Sequence, residues 1–182
     1  MVRDMRGYFG IGVEGISKEQ NVGTIARSAH SFGANFFFTI DPQVDVELMR
    51  VSDTSDAFDH VPYYEYASPA ELALPDKCAL VGVELLDGAI ELPSFRHPAR
   101  AAYVLGPEMG SLSPALVERC DHIIQIPMRF CVNVGVAGAL VMYDRLLSMG
   151  RFADRPVRAG GPTEVLPERS TGHRRKVRTP KI

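Results

Sequence analysis

The sequence predicts an α/β fold: a single domain in which a parallel sheet is flanked by helices. Short apolar runs alternate with segments whose apolar residues recur at helical spacing. Most of these runs are continuously apolar rather than alternating, which is typical of strands that helices cover on both faces. With 182 residues, 46% of them hydrophobic and 23% charged, the chain has the composition of one ordinary globular domain.

The first strands of the predicted sheet are two apolar runs, YFGIGVE (8–14) and ANFFFTI (34–40). The segment between them, 21–33, is predicted to be a helix that ends at Gly33, because glycine adopts the left-handed conformation that commonly ends helices. Five apolar residues at helical spacing indicate its core face: Val22, Ile25, Ala26, Ala29 and Phe32.

Three further apolar runs, 78–86, 101–105 and 122–126, are predicted to complete the sheet. A helix over 113–120 separates the last two, since Ser113 is suited to cap a helix and Pro114 to occupy its first position.

Residues 133–149 form the strongest predicted helix, which ends at Gly150. It carries no charge from Val134 to Tyr143, and its apolar residues cover all sides. This pattern indicates burial from several directions. Two interpretations stay open: a helix central to the core, or one that also packs against a partner subunit.

The balance of charged residues changes after Gly150, where the last predicted helix ends. Residues 1–150 hold 11 Lys+Arg and 19 Asp+Glu, whereas residues 151–182 hold 9 and 3. The predicted organisation is a folded domain over 1–150 and a basic, flexible tail over 151–182, where no periodicity survives. Such a tail is either a binding segment for a polyanion or a solubilising extension.

Several classes of protein are disfavoured by what the sequence lacks. No apolar run reaches the roughly 18–20 residues of a membrane helix, and the first ten residues lack the apolar core of a secretory signal. Cys78, Cys120 and Cys131 are odd in number and widely spaced, which favours a reducing, cytoplasmic setting. The five histidines show no ligand spacing, so no metal site is predicted.

The segment YVLGPEMGSLSP (103–114) ends a predicted strand and opens a loop. Gly106 and Gly110 are four residues apart, with Pro107 between them, which fits neither G-x-G-x-x-G nor the P-loop. A phosphate-binding turn is therefore disfavoured, and a plain connecting loop remains one alternative. Glu108, between turn residues at the carboxyl edge of a parallel sheet, indicates a ligand site, because ligands of such sheets bind there.

Three further residues each allow a functional and a purely structural interpretation. Arg27 lies nearly opposite the apolar face of its helix, where it is either a solvated arginine or a guanidinium that pairs with a phosphate. Asn21 is either the N-cap of that helix or part of a site. Cys131 is by default a small buried apolar residue, and the sequence supplies no partner that would activate it.

Three segments, taken in order, resemble the SpoU (TrmH-like) RNA methyltransferases of the SPOUT class over roughly residues 8–150. NVGTIARSAHSFGA resembles the first motif, Asn-x-Gly-x-x-x-Arg followed by Phe-Gly. YVLGPEMGSLS resembles the second, Leu-Gly-x-Glu-x-x-Gly-Leu. IPMRFCVNVGVAGALVMYDRL resembles the third, Ile-Pro-Met, then Ser-Leu-Asn and a small-residue helix. Cys131 and Val132 stand where the family has Ser-Leu, and the spacer after Met128 is shorter than usual.

The resemblance implies a sheet whose C-terminal part is tied into a deep trefoil knot, an exception to the rule against threaded loops. It also implies a homodimer and the cofactor S-adenosylmethionine, held in the knot by the loops after the strands at 79–85, 101–105 and 122–126. By motif, the implied cofactor contacts are Val83, Leu105, Gly106, Ile126, Met128 and Cys131.

The activity that the resemblance implies is methylation of a ribose 2′-hydroxyl in tRNA or rRNA. Arg27 would bind the RNA phosphate beside the target ribose or assist deprotonation, while Asn21, Glu108 and Asn133 would hold the loop geometry and the ribose. One alternative is a non-catalytic RNA-binding dimer, which the shortened third motif favours. Another is a Rossmann-type nucleotide-dependent enzyme, which the missing phosphate loop disfavours.

Overall fold

The computed structural model describes residues 7–46, 57–152, 155–156 and 159–161. The chain divides into two units after Gly150, and each is described by itself. The described residues of the second unit belong to no helix or strand. The rest of the predicted tail, including all of 162–182, lies outside the described residues, so its flexibility stays a prediction.

Seven strands form one sheet in the described part of the first unit, and every neighbouring pair is parallel. Their order across the sheet is β3-β2-β1-β6-β4-β7-β5. The predicted α/β fold with a parallel sheet is therefore confirmed. In chain order the strands are β1 (Tyr8–Glu14), β2 (Phe36–Ile40), β3 (Tyr63–Tyr66), β4 (Ala79–Val83), β5 (Ile90–Glu91), β6 (Arg100–Leu105) and β7 (His122–Gln125).

The α-helices with both ends among the described residues are α1 (Glu19–Phe32), α2 (Ala57–His60), α3 (Pro114–Arg119) and α4 (Val134–Met149). Two 3₁₀-helices span Pro69–Glu71 and Leu92–Ser94. The predicted end of α1 is confirmed, because Gly33 has a left-handed φ of 75°. The predicted cap of α3 is also confirmed, because the Ser113 hydroxyl accepts a hydrogen bond from the Leu116 amide at 3.3 Å.

Alternate strand residues fill two apolar cores, one on each face of the sheet. On one face Ile11 and Tyr103 pack with α1 and α4. On the other, Phe38 and Val104 pack with Leu116 of α3. Burial on both faces accounts for the near-continuous apolar character of the central strands.

The register brings the carboxyl ends of the central strands to one level. Val13 of β1 lies opposite Leu105 of β6, Leu105 lies opposite Val83 of β4, and Val83 lies opposite Ile124 of β7. The loops after β6, β4 and β7 consequently leave the sheet side by side.

Helix α4 is buried on one side only within this chain, so the prediction of burial from several directions is wrong for the chain alone. Its inner side packs on α1 and β6 through Gly138, Val141 and Met142, among other residues. Its outer side is an apolar stripe whose members are 37% to 48% exposed: Val136, Leu140, Tyr143 and Leu147. These positions recur at helical spacing and form one continuous face.

A glycine in β1 is needed for the packing of the second core. A Cβ atom at Gly12 would lie 2.4 Å from the Phe38 ring. We expect Gly12→Ala to lower the free energy of unfolding by about 1–3 kcal/mol, because a core cannot accept an added methyl group without shifting a ring. Urea denaturation measures this change.

Gly23→Ala in α1 is the matched control for Gly12→Ala. Apart from its chain neighbours and the nearby backbone of its own helix, no described atom lies within 4 Å of a Cβ at Gly23, and alanine favours a helix over glycine by about 1 kcal/mol. Stabilities that fall equally in the two variants would contradict the packing argument.

Candidate active site

A cleft of about 270 Å³ opens at the carboxyl ends of β6, β4 and β7. Its walls come from the loops after these three strands and from the first turn of α4. Ligands of parallel α/β sheets bind at this edge. All six residues that the family resemblance implies as cofactor contacts line this cleft: Val83, Leu105, Gly106, Ile126, Met128 and Cys131.

Glu108, which also lines the cleft, ties its loop to the start of α1. Its Oε2 accepts hydrogen bonds from the amide and the hydroxyl of Ser17, at 3.0 and 2.9 Å. Its Oε1 accepts from the amide of Lys18 at 3.1 Å and from the Asn21 side chain at 2.7 Å. Lys18, the N-cap residue of α1, offers no side-chain cap, and the Glu108 carboxylate lies at the amino end of this helix, where a negative charge is favourable.

Asn21 and Asn133 continue this network into the third motif. The Asn133 side-chain amide donates to Asn21 Oδ1 at 2.7 Å, and Asn133 Oδ1 accepts from the Gly135 amide at 2.8 Å, which caps α4. The interpretation of Asn21 as the N-cap of α1 is wrong, because the helix begins at Glu19 and the Asn21 side chain is buried. Asn21, Glu108 and Asn133 thus form one hydrogen-bonded chain across the three motifs.

The ionisation of Glu108 follows from these contacts. Burial of the carboxyl acts to raise its pKa, but the hydrogen bonds donated by Asn21 and Ser17 outweigh burial and hold the pKa below its usual range. Glu108 is therefore charged at neutral pH.

Glu108→Gln should destabilise the protein in a pH-dependent way. The glutamine amide has one oxygen to accept hydrogen bonds, whereas the donors around Glu108 approach two. We therefore expect the free energy of unfolding to fall by about 1–3 kcal/mol at neutral pH. Because the pKa is lowered by folding, the carboxylate stabilises the fold above the pKa of the unfolded chain, and this contribution is lost as the pH falls through the folded-state pKa. Urea unfolding of both proteins at pH 7 and at intervals below pH 5 measures the difference, which should shrink with acid. A difference that stays constant would exclude the ionised carboxylate as its source.

Two carboxylates that the sequence analysis missed hold the far end of the same loop. Glu14 accepts from the Ser113 amide at 2.7 Å and from its hydroxyl at 2.5 Å. Glu84, in the cleft wall, accepts from the Leu112 amide at 2.8 Å. A shared pattern could have revealed them, since the sequence reads Gly-Val-Glu both at 12–14 and at 82–84.

The cleft suits a ligand with net positive charge better than a polyphosphate. Its charged lining consists of Lys18, Glu84 and Glu108, hence two carboxylates and one ammonium group. Space is tight at Gly106, where a Cβ would lie 3.1 Å from the Leu112 amide and 3.3 Å from Glu84 Oε2. A sulfonium amino acid such as S-adenosylmethionine, with two positive groups and one carboxylate, fits this charge pattern.

Arg27 stands apart from the cleft. It is exposed on α1, and its side chain makes no hydrogen bond or ion pair with the described residues. It lies six residues beyond Asn21, about 9 Å along the helix axis. This position leaves both interpretations of Arg27 open.

Cys131 is exposed, so its prediction as a buried apolar residue is wrong. The short spacer between Met128 and Asn133 runs over the surface, and its backbone carries Cys131 to the cleft rim.

Within the described ranges, no group of three or more His, Cys, Asp and Glu side chains could hold a metal ion. Nor does any helix there have the length and apolarity to cross a membrane.

Comparison with curated proteins finds relatives of the TrmH family. A Staphylococcus aureus protein assigned to the TrmH family of tRNA/rRNA methyltransferases is 27% identical over 139 residues, which cover 72% of this chain and 56% of the relative. The chain thus spans about half the length of the curated relatives it matches.

Solved structures share the fold. The SpoU methyltransferase AviRb of Streptomyces viridochromogenes has a TM-score of 0.70 and 23% identity, over 80% of this chain and 61% of that chain. The same enzyme in complex with AdoMet has a TM-score of 0.70, 22% identity and coverage of 80% and 59%. A protein solved in work on the 2-OH methylation of C/U34 on tRNA has a TM-score of 0.66 and 20% identity, over 81% of this chain and 94% of that chain.

The model of the SpoU rRNA Methylase family matches residues 9–143, which is most of the chain and includes the first two motifs and all but the last three residues of the third. The network of Asn21, Glu108 and Asn133 joins those motifs at one cleft. This chain therefore belongs to the SpoU (TrmH-like) family of SPOUT-class methyltransferases.

Proposed function

We propose that this protein transfers the methyl group of S-adenosylmethionine to a ribose 2′-hydroxyl of a structured tRNA or rRNA. The observation that carries the proposal is the cleft itself, where the three family motifs converge and whose charged lining favours a cationic cofactor. S-adenosylmethionine is the cofactor that this family uses, and no phosphate-binding loop competes for the site.

The cofactor would be held by the residues that line the cleft on three sides. Val83, Leu105 and Ile126 offer apolar surface at the strand ends, and Gly106 lets backbone approach the ligand closely. Met128 and Cys131 would close the third side. Cys131 would contact the cofactor only through its backbone, because its thiol is exposed. When bound, the cofactor supplies a methyl group already activated by the sulfonium charge.

The remaining task of the protein is to align the ribose and help its hydroxyl lose a proton. Glu108 and Asn133 line the cleft, and Asn21 orients both. Arg27 would bind the phosphate next to the target ribose or assist the proton loss, since its guanidinium is exposed. A 2′-hydroxyl target distinguishes RNA from DNA.

The proposed enzyme is a homodimer with a knotted C-terminal part, acting in the cytoplasm. The exposed stripe of α4 supports the dimer, because a continuous exposed apolar face marks an interaction surface. The insertion of β7 between β4 and β5, two earlier strands, supports the knot. The three free cysteines support a reducing compartment.

Sedimentation of Leu140→Glu tests the dimer. A charge in the middle of the stripe should shift wild-type dimer to monomer, and Glu91→Lys on the edge strand β5 is a charge-changing control that should not. A wild-type monomer at micromolar concentration would overturn this part of the proposal.

Methyl transfer from labelled S-adenosylmethionine into undermethylated tRNA and rRNA tests the activity. Digestion of the product to nucleosides then separates ribose from base methylation. Binding of RNA without transfer into any pool would support the alternative, a non-catalytic RNA-binding dimer, and label in a base would overturn the ribose assignment.

A further inference from the structure

Two large apolar side chains at the mouth of the cleft are almost fully exposed. Met109 is 89% exposed and Phe130 is 86% exposed. Glu108 and Gly110, on either side of Met109, both line the cleft. Phe130 likewise stands between two lining residues, Met128 and Cys131. Each of the two loops therefore presents an apolar side chain to solvent at its tip.

Phe130 contributes little to the fold, because a ring left in water gains almost none of the free energy that burial provides. It also does not line the cofactor cleft, although Met128 and Cys131 do. Arg129, beside it, is exposed as well. The short third motif, from Met128 to Asn133, thus carries an accessible aromatic ring and a guanidinium next to the place of methyl transfer.

This pair of side chains matches the chemistry of an unpaired nucleotide. Proteins that bind single-stranded or looped RNA stack its bases on aromatic rings and pair its phosphates with arginine. A base inside a duplex is already stacked on its neighbours and cannot use an exposed ring in this way. Lys18, on the wall of the same cleft, adds a second cation for the backbone.

We propose that Phe130 is a stacking platform for an unpaired nucleobase of the RNA substrate, with Arg129 contacting the adjoining phosphate. The inference rests on the proposed function and narrows its substrate to RNA in which the target nucleotide or its neighbour is unpaired. Phe130 is a positioning residue, since it holds the substrate and does not touch the reacting atoms.

The composition of the chain allows a direct test, because the protein contains no tryptophan. Phe130→Trp introduces a single indole at the platform. Its fluorescence should be quenched when a hairpin RNA with an unpaired loop is added, and it should be unchanged by a fully paired duplex of the same length.

Substitutions at position 130 separate stacking from simple apolar contact. Phe130→Ala and Phe130→Leu should each weaken binding of the hairpin about 5- to 150-fold, the equivalent of one stacked base. Phe130→Tyr should bind like the wild type. The KM for RNA should rise in the alanine variant with little change in kcat, and calorimetry should give the wild-type affinity for S-adenosylmethionine.

Tyr64→Ala is the matched control for the loss of an exposed aromatic ring. Tyr64 is 50% exposed on β3, at the edge of the sheet opposite β7 and the cleft. Its replacement should leave hairpin binding unchanged.

Two results would overturn the proposal. One is wild-type hairpin binding by Phe130→Ala. The other is an indole emission that shifts to the blue with protein concentration in the absence of RNA, which would show that a second copy of the chain covers the ring. Methyl transfer assayed in parallel separates the two proposals. RNA binding that depends on position 130, without transfer by the wild type, would overturn the enzyme alone. Transfer whose KM for RNA is unchanged by Phe130→Ala would overturn the platform alone.

Discussion

Arg27→Ala is expected to reduce methyl transfer by about two to four orders of magnitude, the usual contribution of a group that assists proton transfer. The fold and the cofactor affinity should be unchanged. Arg27 is exposed, lies outside the cleft lining and makes no side-chain hydrogen bond with the described residues. Its removal therefore leaves no buried group unpaired, and a loss of activity would report on the substrate rather than on stability.

Single-turnover transfer at saturating cofactor measures this effect. Arg27→Lys should recover only part of the rate, because lysine keeps the charge but lacks the planar fork that pairs with phosphate. Arg100→Ala is the matched control, since Arg100 is exposed at the amino end of β6, opposite the cleft. Similar rates for the wild type, Arg27→Ala and Arg100→Ala would establish Arg27 as an ordinary solvated arginine.

Arg145→Ala is expected to be the most destabilising single substitution in the described fold, at about 3–5 kcal/mol. Arg145 is 1% exposed at the far end of α4 from the cleft. Its guanidinium donates to the carbonyls of Pro98 at 2.7 Å, Ala99 at 3.1 Å and Tyr8 at 3.3 Å. It also lies 5.1 Å from the centre of the Phe9 ring, so its loss removes both donors and packing.

The same arginine fixes a buried proton arrangement. Arg145 donates to the Tyr103 hydroxyl oxygen at 3.0 Å, so this hydroxyl can donate its own proton to His97 Nδ1, at 2.6 Å. His97 Nε2 then donates to Asp144 at 2.9 Å. Burial lowers the pKa of His97, which suits this neutral form, and raises the pKa of Tyr103 to about 12.

Urea denaturation at neutral pH measures the Arg145 effect. Arg145→Lys should lose less than Arg145→Ala but remain well below the wild type, because one ammonium group cannot reach all the acceptors. Arg100→Ala, the surface control, should stay within about 0.5 kcal/mol of the wild type. A loss of under 1 kcal/mol in Arg145→Ala would show that the surrounding carbonyls find other donors.

The parts of the fold that sequence could predict are those with local causes. The central strands are buried on both faces and so read as apolar runs, and Ser113 and Gly33 mark helix ends by their own chemistry. Strand β3, with the sequence YYEY, was missed because it is an edge strand with mostly polar or exposed side chains, and β5 has only two residues. Neither leaves a periodic signal.

The residues of the site could be predicted only where they belong to a family motif, because the sequence does not show which distant residues meet in the fold. The cofactor residues came from the resemblance, and the cleft brings them together. The local interpretation of Asn21 as an N-cap failed because the helix begins earlier, at Glu19, and the Asn21 side chain instead donates to Glu108, 87 positions away. Contacts of Glu14 and Glu84 with the loop arise from tertiary packing in the same way.

The place of β5 in the sheet bears on how the protein is made. Among the described strands, β5 pairs with β7 alone, and β7 follows it by some thirty residues of chain. A nascent polypeptide cannot add β5 to the sheet until the ribosome has released residues 122–125, and the helix that closes the cleft comes later still. Cofactor binding is therefore an assay for synthesis as far as α4, because a product that ends before β7 has nowhere to hold a methyl donor.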